Sequence, residues 1–268
     1  MYESVIGTQF KTPGPRLIEE SFAQDLRSFG CGFKNSANLL VREQRGFMKK
    51  YLQPLLLSAV VVLVLTSLAE TQSDSSAAKR PTSPPYIGDL SIFDSPGREQ
   101  KLQIGRVMDI LGISAGKGVA DIGAGSGWFT VRAARRVGTL GKVYAVDINP
   151  EAIHYINERA RRESLPNIRT ILSKSDDPLL PKASVDAVLL LKTYHEVADP
   201  ITLMSNLRLS LKPDARVGII DKNGDGTNHG VGRKIVVEEA SRAGYRLLET
   251  YDFVKPDGMD YFLVFALR

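Results

Sequence analysis

The sequence predicts an α/β fold built on a mostly parallel sheet and closed by an antiparallel hairpin. Three observations carry that prediction. From Tyr86 onward, short apolar runs alternate with helical stripes; a glycine-rich turn over Gly123–Gly127 joins the first such run to a helix; and the last two apolar runs flank Lys255-Pro256-Asp257-Gly258. Alternating strand and helix patterns favour parallel strands, because each crossover helix returns the chain to the same end of the sheet.

The elements follow in order. Ser95-Pro96 reads as a helix start with proline in the first turn, where its missing N–H is no loss, and Ile104, Val107 and Leu111 form a stripe that stops at Gly112. GVADI (118–122) reads as a strand. KVYAVDI (142–148) is a second, running into Asn149-Pro150-Glu151: a cap, a first-turn proline and an acid at the positive helix end. SVDAVLLL (184–191) and ARVGIID (215–221) are further strands, separated by a helix with Ile201, Met204, Leu207 and Leu211 on one face. A helix near 231–243 carries Val236, Ala240 and Ala243 and ends at Gly244. YRLLETYDFV and MDYFLVFAL then pair across the Pro-Asp-Gly turn.

Composition narrows the function. The chain has 268 residues, 43% hydrophobic, enough for a real core. Its net charge of +5 is uneven: residues 1–85 hold ten Lys/Arg and seven Asp/Glu, leaving 25 against 23 for the body. A body this close to neutral offers no electrostatic case for nucleic acid. Cys31, the single cysteine, lies outside it, so neither disulfides nor thiolate sites are available there, and His154, His195 and His229 show no metal-ligand spacing. No metal is expected.

Residues 48–69, MKKYLQPLLLSAVVVLVLTSLAE up to Ala69, have the order of a secretory signal. Lys49 and Lys50 precede an uncharged run from Leu55 to Ala69 that ends in small residues. The stretch 51–69 is also just long enough to span a bilayer, so a cleaved signal and a membrane anchor both stand. Residues 70–85 read as a linker. Residues 1–47 lack any sustained period and read as disordered or as an over-extended gene start. The expected location is the cell envelope, exported or membrane-anchored, with the cytoplasm as the alternative.

The chemistry lies in VADIGAGSGWFT (119–130). Gly123, Gly125 and Gly127 follow a strand and open a helix, where absent side chains let a ligand approach the backbone and the helix N-terminus. A dinucleotide fingerprint needs glycine at 128, where this chain has Trp128, which weakens a nicotinamide-dependent oxidoreductase reading. Asp147 ends the second strand twenty residues past Gly127, placed to accept hydrogen bonds from both hydroxyls of a ribose.

DIGAGSG, VYAVDI, SVDAVLLLKTYHEV and LKPDARVGIID, in this order, resemble the successive motifs of class I S-adenosylmethionine-dependent methyltransferases, over about residues 86–268. The resemblance implies a doubly wound, Rossmann-like, seven-stranded sheet whose hairpin contributes the antiparallel strand, with S-adenosylmethionine over the strand ends at the topological switch point. It implies Asp121, Gly123 and Gly125 at the methionine end, Asp147 on the ribose and Ile148 against adenine. Asp176 is the favoured adenine-side acid within SKSDDPLLP, which also offers Asp177 and Lys174.

On the acceptor side, Tyr194, His195 and Glu196 follow the fourth strand. His195 is the candidate to deprotonate or orient an acceptor, with Tyr194 beside it. The stretch Asp221–Gly226 matches the opening of a calcium loop, but Gly232 stands where a bidentate Glu is needed, so it reads as a turn. Arg132, Arg135 and Arg136 read as a solvated helix face. A body without thiols excludes arsenite as acceptor, leaving a small molecule, lipid-like or quinone-like. An exported binding module that keeps the fold without catalysis is the alternative.

Overall fold

The computed structural model describes residues 81–268. Seven strands, β1 (Gly118–Ile122), β2 (Lys142–Asp147), β3 (Ile168–Leu172), β4 (Val185–Leu191), β5 (Leu211–Asp221), β6 (Tyr245–Tyr251) and β7 (Tyr261–Leu267), form one sheet in the order β3-β2-β1-β4-β5-β7-β6. β1 to β5 pair in parallel, and β7 is antiparallel to both β5 and β6. The order reverses between β1 and β4, which opens a crevice above their carboxyl ends.

Among the described residues there are six α-helices: α1 (Arg98–Leu102), α2 (Ile104–Ile110), α3 (Trp128–Val137), α4 (Pro150–Arg162), α5 (Pro200–Leu207) and α6 (Arg233–Arg242). All five residues of β1 are buried, as expected of a central parallel strand covered on both faces. Alternate residues feed two cores. Val119, Val143, Ala145, Ala187 and Leu189 pack with α2, α3 and α4, whereas Ala120, Ile122, Val188 and Leu190 pack with α5 and α6. Asn149 caps α4 by accepting from the Glu151 N–H, and Asp199 caps α5 by accepting from the Thr202 N–H.

Two local expectations are corrected. The first helix begins at Arg98, not at Pro96, and is split at Gln103, whose φ is +51°. Residues two apart on a continuous helix face nearly opposite ways, and the break lets both Leu102 and Ile104 be buried. Leu211 begins β5 instead of extending α5; Pro213 disfavours helical backbone at the residue before it. β3, implied by the seven-stranded resemblance, forms although its sequence has no clean alternation. Among the described residues no helix is long and apolar enough to cross a membrane, and 48–69 lies outside them.

Candidate active site

The crevice above β1 and β4 is a cavity of about 570 Å³. One wall is the turn between β1 and α3. Asp121, 2% exposed, accepts a 2.6 Å hydrogen bond from the Thr130 hydroxyl, and the N–H groups of Gly123 and Ala124 donate to the Val146 carbonyl at 2.8 and 3.1 Å. Gly123 has φ +71°, and a Cβ there would come within 2.3 Å of the Thr193 methyl, so glycine is required by backbone and by space alike. Gly125 lines the cavity and donates its N–H to Asp147 Oδ2 at 2.9 Å, while Asp147 Oδ1 accepts from the Asn149 N–H at 2.9 Å. Gly127 does not line the cavity; it caps α3 and sits against Ile156. Ile148 is 44% exposed on the cavity wall, an apolar surface left for a ligand.

Electrostatics follow from burial. Burial pushes the Asp121 carboxyl up to about 7, against the Thr130 hydrogen bond and assisted by the Asp147 charge. Burial also raises Asp147, with the N–H groups of Asn149, Gly125 and Ile148 opposing it. Glu196 is raised to about 7, again chiefly by burial.

At the opposite wall, β4 ends in a short 3-10 turn, Tyr194–Glu196. His195 is 1% exposed and lines the cavity. Its Nδ1 lies 2.9 and 3.0 Å from the two carboxylate oxygens of Asp221, and its backbone N–H donates to Asp221 Oδ2 at 3.1 Å. A carboxylate facing Nδ1 favours the tautomer protonated there and aims Nε2 away from it. Nε2 is 3.7 Å from Glu196 Oε1, and the His229 ring stands edge-on to His195 with centroids 5.7 Å apart.

Besides Gly127, two expected site residues are elsewhere. Tyr194 is fully buried in the core on the α5–α6 face and does not line the cavity. Asp176 is also absent from the wall, which is formed in that loop by Ser173, Lys174, Ser175 and Pro178, while the Asp176 carbonyl accepts from Asn206. Residues 82–85, at the end of the stretch read as a linker, line the cavity too. Buried Ser83 accepts from the His229 N–H and donates to the Gly226 carbonyl.

A family model described as a methyltransferase domain matches residues 119–214. The chain is 30% identical over 185 residues to aklanonic acid methyltransferase of Streptomyces sp. (strain C5), covering 69% of this chain and 74% of that protein. The chain belongs to the class I S-adenosylmethionine-dependent methyltransferases. The crystal structure of an S-adenosylmethionine-dependent methyltransferase from Aquifex aeolicus, 25% identical, superposes with a TM-score of 0.62 over 68% of this chain and 100% of that one. Similarity to 2-phytyl-1,4-naphtoquinone methyltransferase of Trichormus variabilis is 31% over 111 residues, 41% of this chain and 48% of that protein.

This methyltransferase uses S-adenosylmethionine and acts as an enzyme. Sequence reasoning assigned no site role to His229, which lines the cavity, or to Asp221, which holds His195. The signal for Asp221 is a carboxylate at the carboxyl end of a buried strand, GIID, which the resemblance of Asp221–Gly226 to a calcium loop obscures. The arginine face is ion-paired, Arg132 with Glu99, Arg135 with Glu163 and Arg136 with Asp109, and Arg98 and Arg132 both lie over the Trp128 ring.

Proposed function

We propose that the methyltransferase holds S-adenosylmethionine between the Asp121–Gly125 turn and Asp147–Ile148, and presents a small oxygen-bearing acceptor to it from the His195 side. The observation that carries this reading is the junction of Asp147 with the Gly125 N–H at the mouth of the crevice. The lone pairs left on Asp147 suit the two ribose hydroxyls, Ile148 suits the adenine face, and the open Gly123–Gly125 backbone suits the methionine chain. The buried carboxylates Asp121 and Asp147 suit a cationic ligand, which offsets part of their desolvation. When bound, the cofactor supplies an electrophilic methyl group on a sulfonium.

The chain's own residues do the rest. The two walls hold acceptor and cofactor in orientation, and His195 Nε2 takes the proton of an acceptor hydroxyl or enol while Asp221 steadies the resulting imidazolium. An apolar acceptor is supported by Tyr86, Leu90, Ile92 and Phe93 on the cavity wall, and by the acceptors named in the relatives, aklanonic acid and a phytyl-naphthoquinone. Membrane direction by 48–69 remains our proposal, supported by the basic pair before the uncharged run; fractionation of tagged wild type against a deletion of 55–69 tests it.

The cofactor reading is tested by titration calorimetry of the full chain with S-adenosylmethionine and S-adenosylhomocysteine. Asp147→Ala removes two charge-assisted hydrogen bonds worth about 1.5–3 kcal/mol each, so affinity should fall by about 100-fold or more. Binding by this variant within about threefold of wild type would refute the assignment.

A further inference from the structure

We propose that His195, Glu196 and His229 form a binding site for a divalent transition-metal ion of the Zn²⁺ type at the acceptor end of the cavity. One ligand atom from each, two imidazole nitrogens and a carboxylate oxygen, lie within 4.8 Å of one another, with His195 Nε2 and Glu196 Oε1 at 3.7 Å. In a tetrahedral N/O site with bonds of about 2.1 Å, ligand atoms sit about 3.4 Å apart, so closure asks for movements on the order of 1 Å. The more exposed Glu196 and His229 can supply them. All three residues line the same cavity, so a fourth position opens onto it. Three protein ligands and an open position make a site that can take an oxygen of the acceptor or a water.

Two further observations support a built site. Asp221 grips Nδ1 of His195 through both carboxylate oxygens, the arrangement by which a carboxylate fixes a metal-binding imidazole with its other nitrogen toward the ion. His229 is held in a backbone conformation rare for side-chain-bearing residues, φ +57°, and its N–H donates to buried Ser83 at 2.9 Å. The same loop is closed by Val231 N–H to Lys222 and Gly226 N–H to Gly230, both at 2.8 Å. The Lys222–Val231 turn thus delivers a histidine to the cavity. With metal bound, His195 Nε2 is a ligand in place of the base described above.

The site stands on side-chain geometry, so its test omits the cofactor. Co²⁺ alone is titrated into the full chain while visible absorption is recorded, and Zn²⁺ is then added in competition. The expected result is one Co²⁺ per chain with four- or five-coordinate ligand-field bands that Zn²⁺ abolishes. Asp221→Asn should weaken binding 10–100-fold, and His229→Ala and Glu196→Gln by at least as much. His154→Ala, at an exposed histidine on α4, should change nothing. Circular dichroism reports whether each variant is folded; His229 is exposed, so its truncation leaves the core intact. Absence of saturable Co²⁺ binding, or equal binding by folded His229→Ala and Glu196→Gln, overturns the proposal. A protein that binds Co²⁺ but not S-adenosylmethionine overturns the cofactor assignment and leaves this site standing.

Discussion

If Asp121 faces the sulfonium as proposed, cofactor binding should release a proton. In the free protein its carboxyl titrates at about 7, raised by burial and by Asp147 and lowered by the Thr130 hydrogen bond and by Arg98, so at pH 7 it is about half protonated. A unit positive charge about 6 Å away, at an effective dielectric of about 20, is worth about 2.8 kcal/mol, or about two pKa units. The carboxyl would then titrate near 5, and binding at pH 7 should release about half a proton. Release should peak near pH 6 at about 0.8 protons and vanish above about pH 9. The assay is calorimetric titration in buffers of differing ionisation enthalpy, whose slope counts protons. S-adenosylhomocysteine, a neutral thioether, should release less than S-adenosylmethionine, and Asp121→Asn should abolish the difference. Proton uptake, or identical slopes for the two ligands in wild type, would refute the assignment of Asp121 to the sulfonium end.

The same group makes the free protein less stable at neutral pH than in mild acid. Because its folded pKa is raised, its stabilising contribution is complete below about pH 4 and is lost as the pH rises through 7, about 4 kcal/mol for three units; thermal melts at pH 5 and 8 should show a fall that Asp121→Asn removes. Gly123→Ala should lower the melting temperature by about 5 °C, from roughly 1–2 kcal/mol of left-handed backbone strain plus the contact with Thr193. Adding Thr193→Ala should recover the contact part alone, and a neutral Gly123→Ala would discard the reasoning. Tyr194→Phe should retain turnover, since Tyr194 does not line the cavity; a loss of about 100-fold or more, the size of a general acid–base contribution, would return it to the chemistry.

What the sequence disclosed depended on how local each signal was. β1, β2 and β4 are written in short runs dominated by Val, Ala, Ile and Leu, and α4 in its Asn149-Pro150-Glu151 start, because strand burial and capping act over a few neighbouring residues. The positions of Asp121, Gly123, Gly125 and Asp147 followed from the same short range. Gln103 was opaque: its left-handed backbone is imposed by two neighbours that must both be buried. The metal-ligand set was opaque for a different reason. His195 and His229 are 34 positions apart and meet only because β5 carries the chain back beside the end of β4. Tyr194 misled because adjacency in sequence says nothing about which side of a turn a ring takes.

The place of β7 between β5 and β6 bears on how the chain can be made. Among the described residues the last strand in sequence is the sixth in space, and Phe262 to Phe265 are almost wholly buried there. Until that strand emerges from the ribosome, β5 has no partner on its outer edge and β6 has nothing to pair with. The nascent domain is therefore held unfinished through most of its synthesis, with apolar edges open to chaperones.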